Sequence, residues 1–175
     1  MTASMGNDPS LMYTHMYSFT DLRGPKPTMC INKGSIYDFI NSNPSFSKFK
    51  TIVTRANMFA QLNEPQANFT IMSPPNEHLQ HIPQEYFDKM DDGLARQILK
   101  ASSINRIIDK NLITSSPVSY FSTQNKEMRM YITNIRDKTV INNCSTIIQY
   151  NISLNNGMIH IVDNLVAPSE AHFMN

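Results

Sequence analysis

The sequence predicts an α+β fold, because the spacing of its apolar residues changes once along the chain. Up to about Ser102 the apolar residues recur every three or four positions, as on one face of a helix. Beyond Ser102 they recur every second position, in short segments separated by polar turns, as in strands. Helices first and strands afterwards favour an antiparallel sheet with helices packed at one side.

The helical half contains predicted helices at 35–41, 45–62, 84–90 and 91–102. Ser35 and Asp38 resemble a capping box at the start of the first helix. Pro83 suits the start of the third helix, and Asp91 with Asp92 suits the positive end of the fourth helix dipole. The second helix carries an apolar stripe that we assign to the core: Phe46, Phe49, Ile52, Val53, Ala56, Phe59 and Ala60.

Strands are predicted at 69–72, 104–108, 118–121, 128–132, 139–141, 146–150 and 158–162. The last strand follows the turn Asn155-Asn156-Gly157, because Asn and Gly tolerate positive φ, and Pro168 stops it. Both of its faces are apolar except at His160. This pattern predicts a central strand that is covered on both sides. Alternation divides its side chains between two faces, with Met158, His160 and Val162 on one and Ile159 and Ile161 on the other.

Two polar residues of this pattern are candidate site residues. A buried histidine must satisfy its ring nitrogens, so we interpret His160 as a hydrogen-bonded core residue that joins two elements. Catalysis or metal binding at His160 is the alternative. Asn76 is placed to cap the helical turn that follows it. His78 and His81 are three residues apart, but nothing nearby supplies a further metal ligand, and no metal site is predicted.

Length and composition exclude several classes of protein. The chain has 175 residues, a length that suits one domain. Its net charge is +1 and 17% of its residues are charged, so we expect no general attraction to nucleic acid. No apolar run reaches the roughly 20 residues of a membrane span, and residues 1–27 lack the features of a secretory signal. Three glycosylation sequons, at Asn68, Asn143 and Asn151, are therefore interpreted as chance matches. Two cysteines, Cys30 and Cys144, form no disulfide framework, although one bridge between them stays open.

Motifs for catalysis are missing from the sequence. It contains no Gly-x-Ser-x-Gly elbow, no His-Glu-x-x-His and no glycine-rich phosphate loop. We therefore expect no enzyme, no catalytic residue and no cofactor.

Residues 1–33 are predicted to form an extended N-terminal arm, because glycine and proline recur along them. Four apolar residues of the arm alternate roughly with polar positions and are candidates for binding a partner: Leu11, Tyr13, Tyr17 and Phe19. We expect the arm to dock on a neighbouring subunit or on its own domain. The domain itself is predicted at 34–168, with a short tail at 169–175.

Two motifs together resemble those of the fasciclin-like domain family. Residues 69–79 (FTIMSPPNEHL) are similar to the first family signature, a strand that enters a turn and helix. Residues 156–163 (NGMIHIVD) with Pro168 are close to the second. The resemblance implies an antiparallel β-wedge or sandwich with helices at one side. It also implies structural roles for Asn76, Asn156, Gly157, His160, Asp163 and Pro168.

The resemblance further implies a role in adhesion or assembly through binding to other proteins. Members that bind integrins use an Asp-Ile pair where this chain has Asn151-Ile152, so integrin binding is not expected, although the pair remains a candidate partner-binding site. Our leading interpretation is a structural component of a large assembly, such as a virion or capsid, tethered by its arm and located inside the cell or in the particle. A secreted or cell-surface adhesion protein is the alternative. A small-ligand binder or enzyme using His160 and Asn76 is the third.

Overall fold

The computed structural model describes residues 30–166, and the fold below belongs to the unit that begins at Ile31. Its helices are α1 (Ile36–Ser42), α2 (Ser47–Ala56), α3 (Phe59–Asn63), α4 (Gln84–Asp88), α5 (Asp92–Ala101) and α6 (Lys110–Ile113). Its strands are β1 (Phe69–Ser73), β2 (Ser103–Ile104), β3 (Val118–Ser122), β4 (Arg129–Ile135), β5 (Lys138–Ile141), β6 (Ser145–Leu154) and β7 (Gly157–Val162). Two 3-10 turns, Pro44–Phe46 and Asn76–His78, complete these elements.

The strands form one mixed sheet in the order β2-β1-β7-β6-β5-β4-β3. The predicted α+β class is confirmed, but the sheet is not wholly antiparallel. Strand β7 runs parallel to β1, with Phe69 opposite Gly157, and antiparallel to β6. A parallel pair needs a long connection, and the chain from Ser73 to Gly157 is long enough for this crossover.

Strand β7 lies between two hydrophobic cores, and all six of its residues are buried. The prediction of a central strand covered on both sides is therefore confirmed. Ile159 and Ile161 belong to the helix-side core, which also includes Phe49, Phe59, Leu62, Leu79 and Ile98. Val162 belongs to the wedge core on the opposite face, which also includes Met72, Ile104, Ile108, Ile132 and Ile141. Each fully buried side chain of this size contributes about 1.5–3 kcal/mol relative to exposure.

The predicted helix at 45–62 is interrupted, which corrects the sequence interpretation. Asn57 adopts a left-handed conformation with φ of 56°, and its N–H donates to the carbonyl of Thr54. Asn tolerates this conformation at the end of a helix, so α2 stops and α3 starts again at Phe59. The break changes which residues face inward. Met58 is buried, whereas Ala60, which was assigned to the stripe, is exposed.

The predicted strand at 104–108 is also shorter than expected. Only Ser103–Ile104 pair with β1, and the chain then turns so that Ile108 enters the wedge core. The N–H of Ile108 donates to Thr70 Oγ1 at 2.9 Å, which replaces the lost strand hydrogen bond. Helix α6 follows and was not predicted. Its cap is Asp109, whose carboxylate accepts from the N–H of Leu112.

Candidate functional site

The predicted motif residues meet at β7, where His160 is fully buried. Its Nδ1 accepts the N–H of Asn151 at 3.0 Å, and its Nε2–H donates to the carbonyl of Ile108 at 2.7 Å. This pairing selects the neutral ring with the proton on Nε2. Burial lowers the pKa of His160, while the hydrogen bond to Ile108 and the charge of Asp109 oppose that shift. The ring joins β6, β7 and the segment before α6, and no ring nitrogen is left for a substrate or metal.

Asn156 performs a similar joining role in the turn before β7. Its Oδ1 accepts the N–H of Ile36 at the start of α1, at 2.8 Å. Its Nδ2 donates to the carbonyls of Leu62 and Glu64, at 2.9 and 3.0 Å. Asn156 is only 1% exposed, so these three bonds satisfy a buried amide completely. The turn is therefore tied to both ends of the first three helices.

Gly157 is required by a close approach of two backbones. A Cβ at this position would lie 2.3 Å from the carbonyl oxygen of Phe69 and 2.5 Å from Cδ1 of Ile36. Phe69 is the parallel partner of Gly157, so neither strand can withdraw without losing sheet hydrogen bonds. At the other end of β7, Asp163 Oδ1 accepts the N–H of Thr146 at 2.7 Å. These contacts set the register of β7 at both ends. Pro168 lies outside the described residues.

Asn76 does not cap the turn that follows it, so this prediction is wrong. That turn has no side-chain cap, and the Asn76 side chain reaches instead to the start of α2. Its Oδ1 accepts the N–H of Lys48 at 3.0 Å, and its Nδ2 donates to Ser47 Oγ at 2.8 Å and to the carbonyl of Pro44. Sequence spacing could not identify a cap that lies 28 residues from its helix.

The candidate partner-binding pair Asn151-Ile152 lies in an irregular part of β6. Asn151 has φ of 62°, and its Oδ1 accepts the N–H of Lys110 at 3.0 Å. Ile152 is half-buried and packs against the helix-side core. Both side chains therefore make contacts within the fold, and a role in partner binding stays a prediction. The other candidates, Leu11, Tyr13, Tyr17 and Phe19, lie outside the described residues.

A second candidate site is the solvent-facing side of β3, β4 and β5, which we name the outer face. Its residues are Val118, Tyr120, Arg129, Tyr131, Thr133, Ile135, Lys138 and Val140, together with Ile148 of β6. Cross-strand pairs connect them: Tyr120 lies opposite Tyr131, and Val118 opposite Thr133. Tyr120 is 55% exposed and Ile135 is 61% exposed. The helices that cover β1 and β7 leave this side of the sheet open.

Three residues of the outer face stack on one another. The rings of Tyr120 and Tyr131 lie 5.0 Å apart at an angle of 40°. The guanidinium of Arg129 sits over the Tyr120 ring at 4.7 Å from its centroid. This cluster was not predicted from the sequence. Residues 118–121 carry apolar side chains on both faces of the strand, with Val118 and Tyr120 on one face and Phe121 on the other. A strand with one face in water normally has polar residues on that face, so this pattern could have indicated the cluster.

The described residues hold no group of three or more histidine, cysteine or acidic side chains that could bind a metal ion. His81, one of the paired histidines of the sequence, places its Nε2 at 3.2 Å from Asn164 Oδ1. Between residues 30 and 166, no helix has the length and apolar character needed to cross a membrane.

Among curated proteins, the chain is similar in sequence to proteins that are much longer than it is. The chain is 27% identical over 143 residues to stabilin-2 of Rattus norvegicus. This alignment covers 78% of this chain and 9% of that protein. It is 25% identical over 139 residues to periostin of Homo sapiens. This alignment covers 78% of this chain and 16% of that protein. The chain thus spans less than a fifth of the length of either relative.

The fold also matches a solved FAS1 domain pair from the insect cell adhesion molecule Fasciclin I. The TM-score is 0.67 over 79% of this chain and 52% of that chain, at 15% identity. The model of the fasciclin domain matches residues 44–168, which is well over half of the chain and includes both sequence motifs. Fasciclin domains are adhesion and protein-interaction modules. On this match, with its fold and its β7 motif, the chain belongs to the fasciclin domain family.

Proposed function

We propose that this chain is an adhesion module that acts at the cell surface and binds a partner protein through its outer face. The observation that carries the proposal is the surface cluster of Tyr120, Tyr131 and Arg129, in which Tyr120 and Arg129 are exposed and Tyr131 is half-buried. Tyrosine and arginine are enriched among the residues that dominate protein interfaces, because they combine large contact area with few mobile bonds. The polar side chains of the β7 motif already have hydrogen-bond partners within the fold. We therefore assign partner binding to the surface of the domain.

The charge of the outer face favours a particular kind of partner. The charged residues within β3, β4 and β5 are Arg129 and Lys138, and both are cations. Two copies joined by the same face would bring like charges together without a carboxylate between them. We therefore propose a different protein as the partner, with an apolar centre and an acidic rim.

The relatives favour adhesion over our first interpretation from sequence. One is described as a cell adhesion molecule, and none points to a virion or capsid. The same comparison supports an extracellular or cell-surface location, which was the alternative from sequence. Tethering by residues 1–33 remains a separate proposal, because these residues lie almost wholly outside the described part of the chain.

Attachment of cells to surfaces coated with the full chain tests the proposal. Cells from a panel of adherent lines are washed over the coated surface, and the bound fraction is counted. We expect attachment to the parent chain. We expect the double variant Tyr120→Thr/Ile135→Thr to lose most of it, since truncation of a dominant interface residue costs about 2 kcal/mol or more.

Ile31→Thr is the matched control, because Ile31 is an exposed isoleucine outside the outer face. Thermal unfolding of each variant establishes that it is folded. Equal attachment of the double variant and the control would reject the outer face as the binding surface. If no cell line attaches to a surface coated with the parent chain, the proposed adhesion itself is rejected.

A further inference from the structure

An open cleft of about 640 Å³ lies between α5 and the loop that joins β3 to β4. One wall carries Arg96, Gln97 and Lys100 of α5, and the other carries Gln124, Asn125 and Lys126 of the loop. The two walls are hydrogen-bonded to each other through the backbone. The N–H of Asn125 donates to the carbonyl of Lys100 at 3.2 Å. The shape of the cleft is therefore held by backbone contacts and does not depend on the cationic side chains.

The three cations of this cleft have no partner within the described chain. Six of the described cations contact a carboxylate, a carbonyl or an aromatic ring through their side chains, as Lys89, Arg55 and Arg129 do. Seven described cations make no such side-chain contact: Lys33, Lys50, Arg96, Lys100, Lys126, Arg136 and Lys138. Three of the seven converge on the cleft, where Glu127 supplies the single opposing charge among the lining residues. The cleft thus has a local charge of about +2 in a chain whose net charge is only +1.

Stabilisation of the α5 carboxyl end does not explain this convergence. Cations are favourable there when the last carbonyls lack donors. Here the carbonyl of Ile98 accepts from the Ser102 hydroxyl at 2.8 Å. The carbonyl of Leu99 accepts from the Ser103 hydroxyl at 2.6 Å, and that of Lys100 from Asn125. The carbonyls are satisfied by other groups, so Arg96, Lys100 and Lys126 remain available to a ligand.

We infer that the cleft between α5 and the β3–β4 loop binds the sulfate groups of an anionic polysaccharide. Arginine and lysine neutralise sulfate, and the amides of Gln97, Gln124 and Asn125 can donate to sulfate or hydroxyl oxygens. The cleft is open, so a polymer can pass through it. None of the described residues that line it is aromatic, whereas proteins that bind single-stranded nucleic acid rely on stacking. This inference is independent of the proposed adhesion through the outer face.

Binding of a size-defined heparin oligosaccharide to the full chain tests the inference. Titration at several salt concentrations gives Kd and its salt dependence. The triple variant Arg96→Gln/Lys100→Gln/Lys126→Gln should bind about tenfold or more weakly, because three exposed charge contacts are lost. Its slope of log Kd against log salt should fall by about 2, since each neutralised anion releases roughly one counterion. Backbone amide shifts should concentrate at Gln97, Asn125 and neighbouring residues.

Lys33→Gln/Lys50→Gln/Arg136→Gln is the matched control, because it removes the same charge from cations elsewhere. We expect it to bind nearly as the parent chain does. Glu127→Gln should strengthen binding, since it removes the one carboxylate of the cleft. Equal weakening in both triple variants would overturn the inference, because general charge would then explain binding. Equal or tighter binding of a DNA duplex of matched charge would also overturn it.

Discussion

At the scale of single residues, His160 makes the stability of the fold depend on pH. Burial lowers its pKa in the folded chain, whereas an unfolded histidine titrates near 6.5. Between these two pKa values the unfolded chain binds a proton that the folded chain lacks. The free energy of unfolding should therefore fall as the pH drops below about 6.5, by up to about 1.4 kcal/mol per pH unit.

Urea unfolding between about pH 5 and pH 7.5 measures this dependence. His160→Gln is the comparison, because glutamine offers a donor and an acceptor but does not titrate. The parent chain should show the steeper loss of stability towards acid pH. An NMR titration of the His160 ring provides a second measurement on the parent alone. A folded-state midpoint at or above 6.5 would contradict the prediction.

Gly157 is the residue at which a single methyl group should be most costly. Gly157→Ala would place Cβ at 2.3 Å from the Phe69 carbonyl oxygen, and the paired strands leave little room for adjustment. We expect a loss of about 3 kcal/mol in the free energy of unfolding. Gly93→Ala in α5 is the control and should be neutral or slightly stabilising, because alanine favours a helix and meets only the Asp91 side chain at 3.3 Å. Similar losses in both variants would refute the argument from close approach.

At the scale of elements, α2 depends on a cap supplied from another part of the chain. Asn76→Ala removes the acceptor for the Lys48 N–H and the Nδ2 group that donates to Ser47 Oγ and to the carbonyl of Pro44. We expect a loss of about 1–2 kcal/mol, as for other cap deletions. Asn76→Asp keeps the acceptor and should recover part of this loss. Chemical unfolding of the three proteins makes the comparison, and an Asn76→Ala chain as stable as the parent would show that the cap is unimportant.

For the molecule as a whole, the position of β7 between the two cores predicts the order of local opening. Amides of β7 and β1 should exchange with solvent most slowly, because both strands are paired on two sides and buried. Amides of β3 should exchange much faster, since β3 pairs only with β4 and every second residue is exposed. Hydrogen exchange of the native chain measures these rates. Equal protection of β3 and β7 would contradict this description.

Local sequence patterns were sufficient for much of this fold. The cap at Ser35 forms as predicted, and the helix predicted to start at Asp91 has that residue as its cap, since the groups that both residues satisfy lie within three residues. The apolar period of β7 predicted its central place and its two faces. The turn before β7 forms at residues 155–156, although neither Asn155 nor Asn156 has the positive φ for which it was predicted. The resemblance of the two motifs to fasciclin-like domains rested on these same segments.

Tertiary structure decided the features that depend on residues far apart in sequence. The parallel pairing of β1 with β7, the cap that Asn76 supplies to α2, and the bond of His160 to Ile108 each join residues at least 28 positions apart. The break at Asn57 rests on a local property of Asn, but the burial of Met58 that accompanies it depends on packing. Short-range preferences are weak compared with burial and long-range hydrogen bonds. The sequence by itself therefore determined the elements and the family motifs, whereas packing decided how they pair and which surfaces stay open.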